Sequence, residues 1–448
     1  MECAPPVERG FSPLDEELEL LPGSLTPHLQ ECLVRLGTWV PSFEEARKLL
    51  KAFTGVEVSE PTVRRNTEEA GAAYVAWQDE EVARIERELP SAPSGPAKAL
   101  VSVDGAMVPL LHGEWGEVKT LVIGAIQEPV QERGERVVHT GQLSYFSRMT
   151  DAESFGRLAL VETHRRGLEQ AGLIAAVSDG AEWAQKFFDF HCETAVRILD
   201  FPHAGQRMAA FGESLFGEGT PASQAWLAER LHTLKHDGPA TVLVELRQVQ
   251  QAHTAILALA ENLTYLEKRV PHMHYPAYQA AGLPIASGAV ESGNKLVVEA
   301  RLKGAGMHWA RSHVNPMVAL RNIVCSDRWD EDWPRIASRL RQDTRRRQIK
   351  RRQQRQAKAA LPARADTSLP TPPVVEVRVD PAQSASLPPA QSPAISPPGQ
   401  TGPKQPYRPG PDHPWRHSPI GRARYQLYRP HKPDTSIKNR RTPLLREC

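Results

Sequence analysis

ALVSVDGAMV at positions 99–108, EVKTLVIGAIQ at 117–127 and RVVHTGQLSYF at 136–146 are three apolar runs rich in β-branched residues. Short polar breaks separate them. Runs of this length are strand signals, and short connections favour an antiparallel meander. Beyond them the period changes. Phe155, Leu158, Leu160 and Val161 predict a helix over about 152–171. An apolar run at 173–177 leads into Ser178-Asp179-Gly180 and predicts a fourth strand. A helix near 181–190, a strand near 195–200 and a helix from about His203 follow. From Asp200 to Tyr275 the pattern is mostly helical, and the layered pattern resumes over 283–301 and 309–329.

That order, β-β-β-α-β-α-β-α, is the element order of the ribonuclease H-like fold. The expected class is therefore α/β: a mixed sheet flanked by helices over 99–330, with a helical insertion at about 204–275. Upstream, residues 25–89 read as helical. Leu29, Cys32, Leu33 and Leu36 fall at helical spacing, as do Ala46, Leu49, Leu50 and Phe53. Gly55 marks a turn. Ser59 is a good N-cap and Pro61 suits a first helical turn, so a new helix opens with Thr62, Arg64 and Arg65. Helix, turn and capped helix suggest a helix-turn-helix, whose second helix presents its first residues to DNA bases. A plain helical hairpin is the other reading. Residues 90–98, rich in Pro and Ser, read as a linker. Residues 1–24 read as a flexible N-terminus.

Composition removes several classes. The chain has 448 residues, of which 40% are hydrophobic, enough for a sizeable core. No apolar run reaches the length of about 18 residues that a membrane helix needs. The first ten residues carry Glu2 and Glu8 and lack a basic segment followed by an apolar one, unlike a secretory signal. The five cysteines are scattered and form no CxxC pair, which speaks against a disulfide framework or structural zinc and fits a reducing cytoplasm. Net charge is only +2, but its distribution is uneven. RIASRLRQDTRRRQIKRRQQRQAK at 335–358 contains the single acid Asp343, so 331–358 is expected to be a basic helical segment. Such a stripe is either an electrostatic footprint for DNA phosphates or a solvated helix end. Residues 359–448 hold 19 of the 39 prolines and are expected to be disordered.

Three acidic residues draw the chemistry together. Asp104 and Asp179 each end an apolar run and precede glycine. Taken singly, each Asp-Gly reads equally as a turn or, for Asp179, as a helix cap. On neighbouring strands the two carboxylates would share one sheet edge and offer the hard oxygen ligands that divalent cations take. Glu291 lies in PIASGAVESGNK at 284–295, a glycine-bearing turn that opens a helix. Asn294 and Lys295 follow it at helical spacing and share its face. Ala286, Ser287, Gly288, Ala289 and Gly293 are small enough to let this turn approach another surface. A surface Glu–Lys ion pair is the plainer reading.

The blocks VSVDGAMVPL, GEVKTLVIG, AVSDGAEWAQ, ILDFPHA and LPIASGAVESGNKLVVEARLKGAGMHW together resemble the DDE transposases of bacterial insertion sequences, most closely the ISKra-type family. The resemblance covers about 99–329, and its last block is the most specific. It implies a catalytic triad of Asp104, Asp179 and Glu291 that also holds two Mg²⁺ or Mn²⁺ ions. It implies nucleoid-associated DNA as partner, both the element's terminal inverted repeats and the target. A homo-oligomer would then hold two ends together. DHPWR at 412–416 resembles a closing motif of such proteins. One departure stands out: several DDE families carry Lys or Arg seven residues after the glutamate, and that position here is Val298. Lys295, Arg301 or Lys303 are the candidates for its contact with phosphate.

In such a site, water first nicks the element's end and the freed 3′-hydroxyl then attacks target DNA. Metal-borne charge stabilisation and positioning supply the rate. His203 follows a strand and lies either at the scissile phosphate or in a structural role. His308 and Trp309 are candidates for DNA contact, with Trp309 either stacking on a base or packing in the core. Two other functions fit the same residues: a metal-dependent nuclease that does not join strands, and a non-catalytic regulator derived from a transposase.

Overall fold

The structure, a computed structural model, describes residues 25–132 and 135–360. The expected flexible N-terminus, the proline-rich tail beyond Ala360 and the DHPWR segment lie outside the described residues. Each early helix begins where a small polar side chain can receive an orphan backbone N–H. Helix α1 (Pro27–Trp39) is capped by Thr26, α2 (Phe43–Thr54) by Ser42, and α3 (Glu60–Glu88) by Ser59, whose Oγ accepts from the Thr62 N–H at 3.3 Å. Gly55, at φ 74°, closes α2 as expected.

Strands β1 (Lys98–Pro109), β2 (Trp115–Ile126) and β5 (Thr140–Arg148) form the antiparallel meander. Between β2 and β5 a two-stranded hairpin, β3 (Val130–Glu132) with β4 (Glu135–Val137), stands apart. The third strand therefore starts at Thr140 instead of 136. A register shift between Ile123 and Ala125 and the positive φ of Gln142, 49°, interrupt the ladder there. After α4 (Ala152–Leu158) and α5 (Leu160–Arg165) come β6 (Leu173–Ser178), α6 (Glu182–His191) and β7 (Val196–Leu199). The single helix expected over 152–171 is thus two short helices meeting at Ala159, followed by a 3₁₀ turn at Leu168–Gln170.

The five-stranded sheet has the order β5-β2-β1-β6-β7, with β6 and β7 parallel to β1. The fold is α/β, a mixed sheet between helical layers. Alternation along β1 sends Ala99, Val101 and Val103 to one face, where Phe155, Phe187, Phe188 and Val82 cover them. Leu100 faces the other way, against a helical layer built from α7 (Phe201–Phe216), α8 (Pro221–His236), α9 (Pro239–Ala252), α10 (Leu257–Glu267) and α11 (Tyr275–Ala280). Ala106 and Val108 on that same face meet α12 (Gly288–Gly293) and its continuation. This helix runs on as a π-helical stretch, Asn294–Glu299, and a last turn, Ala300–Leu302.

Helices α13 (Arg311–Cys325) and α14 (Trp329–Ala360) then return to the N-terminal helices. Leu33, Leu50, Val63 and Tyr74 share one core with Leu320, Ile323, Trp329, Trp333 and Ile336. The region 25–89 is therefore not set apart from the sheet by its linker; the described residues belong to one compact unit. The basic stretch expected at 331–358 is helical, but part of its charge is balanced. Arg339 pairs with Glu80 at 2.5 Å and Arg347 with Glu69 at 3.0 Å, both on α3. Among the described residues no helix is long and apolar enough to cross a membrane.

Candidate functional site

Asp104 and Asp179 lie at one level on adjacent parallel strands. The last registered pair of β1 and β6 is Ser102 opposite Val177, and each aspartate is two residues further along. Asp104 does not sit in a turn: β1 runs through it, and it pairs with Thr120 of β2. Asp179 follows the end of β6, and its Oδ1 accepts the Ala181 N–H at 2.8 Å, which fixes the loop before α6. Gly180 has φ 78°, and a Cβ there would lie 2.4 Å from Arg269 Nε. Glycine is required on both counts.

Helix α12 and its π-helical extension lie across β1. Gly293 makes this approach possible, because a Cβ at that position would already sit 3.0 Å from Tyr145 and Val122. Gly288, by contrast, has open space around it. Of the small residues in the turn, Gly293 carries the close packing. One residue later, Asn294 Nδ2 donates to Asp104 Oδ2 at 2.9 Å. Asn294 Oδ1 is buried and has no donor. Glu291 stands one turn earlier on the same helix, where its Oε1 accepts from Ser287 Oγ at 3.3 Å. Among the described residues no three acidic, histidine or cysteine side chains converge closely enough to hold a metal ion, so Glu291 does not join the two aspartates here.

A fourth acid closes the edge. Asp200 follows β7 and is 0% exposed. Its Oδ1 accepts the Ser287 N–H at 2.5 Å, and the Phe201 N–H donates to Ile285 O at 2.9 Å, so the strand end is tied to the turn that launches the Glu291 helix. Asp200 Oδ2 caps α7 through the His203 N–H at 3.0 Å and also meets His203 Nδ1 at 2.6 Å. Nδ1 is thus engaged, and His203 lines a cleft together with Asp179. Asp200 was missed as a functional candidate from sequence. Its signal was present: an acid ending an apolar strand, three residues before histidine.

The electrostatics follow from these contacts. Burial lifts the Asp104 carboxyl above the usual carboxylate range, and the Asp179 charge adds to the lift, against the Gly105 N–H, His203 and Asn294. Burial acts the same way on Asp200, but hydrogen bonds from His203 and Ser287 outweigh it and hold its carboxyl low. The bond to Asp200 raises the His203 imidazole above its ordinary value, against partial burial.

Several of the residues expected to touch DNA fall into a second place. A groove of about 820 Å³ brings the start of α3 beside the loop before α13, and Arg64, Arg65, Arg301, His308 and Trp309 all line it. Arg64, Arg65 and His308 are exposed. Thr62 lies at the same helix start, its hydroxyl 2.9 Å from Ser59 Oγ in the cap. One open choice is decided and one candidate changes. Trp309 is 6% exposed and donates Nε1–H to Leu302 O at 3.2 Å, so it is a core residue and has no free face for a base. Arg301 is 1% exposed, packs against Phe43 and Trp309, and donates to Gly37 O and Pro41 O at 3.3 and 3.0 Å. Burial, with the nearby Arg321 charge adding to it, pushes its guanidinium down to about 10. On the Glu291 helix, Lys303 pairs with Glu299 at 2.7 Å, Val298 is buried, and Lys295 is exposed.

Compared with protein-family models and with curated proteins, the chain matches none.

Proposed function

We propose that this protein is an insertion-sequence transposase of the DDE type, which cleaves element ends and joins them to target DNA on a ribonuclease H-like core. The observation that carries the reading is the level placement of Asp104 and Asp179 on adjacent parallel strands, with the Glu291 helix bonded to Asp104 through Asn294. The sheet order, three antiparallel strands and then two parallel ones on the far side of β1, is compatible with that core. The donor set suits Mg²⁺ or Mn²⁺: two neighbouring carboxylates and the buried, donorless Asn294 Oδ1 are hard oxygen ligands. Asp104 and Asp179 would hold such an ion, and Glu291, one turn before Asn294 and not converged with them here, would complete the set for two ions on closing toward them. When bound, they supply charge stabilisation at the reacting phosphate.

The chain's own residues do the rest. Asp200 fixes the His203 ring through Nδ1, leaving Nε2 to take a proton from the attacking hydroxyl or give one to the leaving oxygen. Asn294 orients the Asp104 carboxylate. Arg64, Arg65 and His308 offer a groove for the DNA backbone at a distance from the carboxylates. A strand-transfer assay tests the reading, with Mg²⁺ or Mn²⁺ and duplexes carrying the sequences that flank the coding region. Joined products support transposition. Nicks without joining would reduce the protein to a nuclease, and specific binding without cleavage would make it a regulator.

A further inference from the structure

The position where a DDE transposase would carry a phosphate-binding cation is the buried Val298, and two of the three basic residues near it are engaged elsewhere. A different pair of cations lies beside Asp179. His203, Gln206, Arg207 and Ala210 recur at helical spacing along α7 and line one wall of a cleft of about 400 Å³. Tyr265 of α10 and Arg269, just beyond the end of that helix, line the other. The Arg207 and Arg269 guanidiniums lie 4.3 and 3.7 Å from the centre of the Tyr265 ring. Arg269 is fastened by bonds to Gly180 O at 2.8 Å and Tyr265 O at 3.2 Å. Tyr265 donates its hydroxyl to Asp179 O at 2.5 Å. The tyrosine thus ties both cations to the loop that carries the second aspartate. Among the described residues neither arginine has a carboxylate partner. Arg269 Nε is buried with no acceptor, while Arg207 is exposed at the cleft.

Resting on the DNA-processing reading above, we infer that Arg207 is the phosphate-positioning residue of this site, gripping a DNA phosphodiester next to the reacting one. Tyr265, itself fastened to the Asp179 loop, holds it in place. A planar guanidinium fork matches two phosphate oxygens, and stacking on Tyr265 pre-orients it. The cleft is of a size that takes one nucleotide unit.

The test compares the full chain with Arg207→Ala and Arg207→Lys. Two probes are used: a fluorescein-labelled duplex of the flanking end, read by anisotropy across a salt series, and thymidine 5′-monophosphate, read by calorimetry. Arg207→Ala should weaken duplex binding roughly tenfold and reduce the log K against log salt slope by about 0.9. Arg207→Lys should keep the slope but bind more weakly than the native chain. A duplex bound with the same affinity and slope by Arg207→Ala overturns the inference and leaves the DNA reading standing. Arg207-dependent binding of the mononucleotide, with no duplex binding by the native chain, keeps the phosphate site and overturns the DNA reading. Binding of neither probe by the native chain overturns both.

Discussion

Asp200 does more for the candidate site than its distance from the first two aspartates suggests. It is fully buried, and it ties β7, the start of α7 and the Ile285–Ser287 turn into one junction. Replacing Asp200 with Asn removes the charge that raises the His203 imidazole, so the His203 titration followed by NMR should fall back toward about 6.5. The fold should lose about 1–3 kcal/mol, because a buried hydrogen-bonding network is left partly unsatisfied. The sign of the pH dependence follows from the two shifts. Asp200 sits low in the fold, so its contribution is present above about 3.9 and is lost as pH falls through its lower folded value. His203 sits high, so its contribution is complete below about 6.5 and is lost as pH rises through its raised folded value. Denaturation should therefore show the gap between native and Asp200→Asn protein widest in mildly acidic buffer and narrower in alkali; a gap that widens into alkali would refute the pairing. Gly180→Ala faces both a positive φ and the Arg269 side chain. A loss of about 1–3 kcal/mol is expected from that strain, visible as a lower Tm.

At the level of elements, the strands and caps were legible because their causes are local. Ser59 before Pro61 opens a helix wherever it occurs, and the alternation of Val101, Val103 and Leu100 marks a strand with two covered faces. What was not legible depended on partners far along the chain. RVV at 136–138 has strand chemistry, but the register shift at Ile123–Ala125 hands Glu135–Val137 to the β3–β4 hairpin. Arg301 and Lys303 looked alike as basic residues; only the backbone carbonyls of Gly37 and Pro41 decide that Arg301 is interior. Trp309 reads from sequence as a stacking or a core residue alike, and only Leu302 O and Phe43 decide for the core. The aspartates could be matched to one edge from sequence, whereas the Asn294 bond required knowing how α12 crosses β1. The crossing itself can be tested. In Gly293→Val the added side chain meets Tyr145 and Val122, which must push the helix off the sheet and break the Asn294–Asp104 bond. Cleavage should drop by at least tenfold while far-UV circular dichroism stays native; unchanged activity would show that the close approach is not needed.

Across the whole described unit, the N-terminal helices share a core with α13 and α14. The groove of Arg64, Arg65 and His308 is therefore held in one unit with the carboxylate edge, which the proposed DNA-processing function would need. The same sharing predicts cooperative unfolding. Leu320→Ala should destabilise by about 2–5 kcal/mol and lower the transition of the N-terminal helices and of the sheet together, with tryptophan fluorescence and circular dichroism coinciding. Two separate transitions would mean that 25–89 folds alone. Metal-dependent DNA processing at Asp104 and Asp179, as proposed, is checked by incubating a duplex of the flanking ends with Mg²⁺ or Mn²⁺, with the native chain and with Asp104→Asn. Cleavage by the native chain and a loss of at least a hundredfold in the variant, with binding retained, is the expected result. Equal cleavage by both, or none by either while both bind the duplex, would contradict the claim.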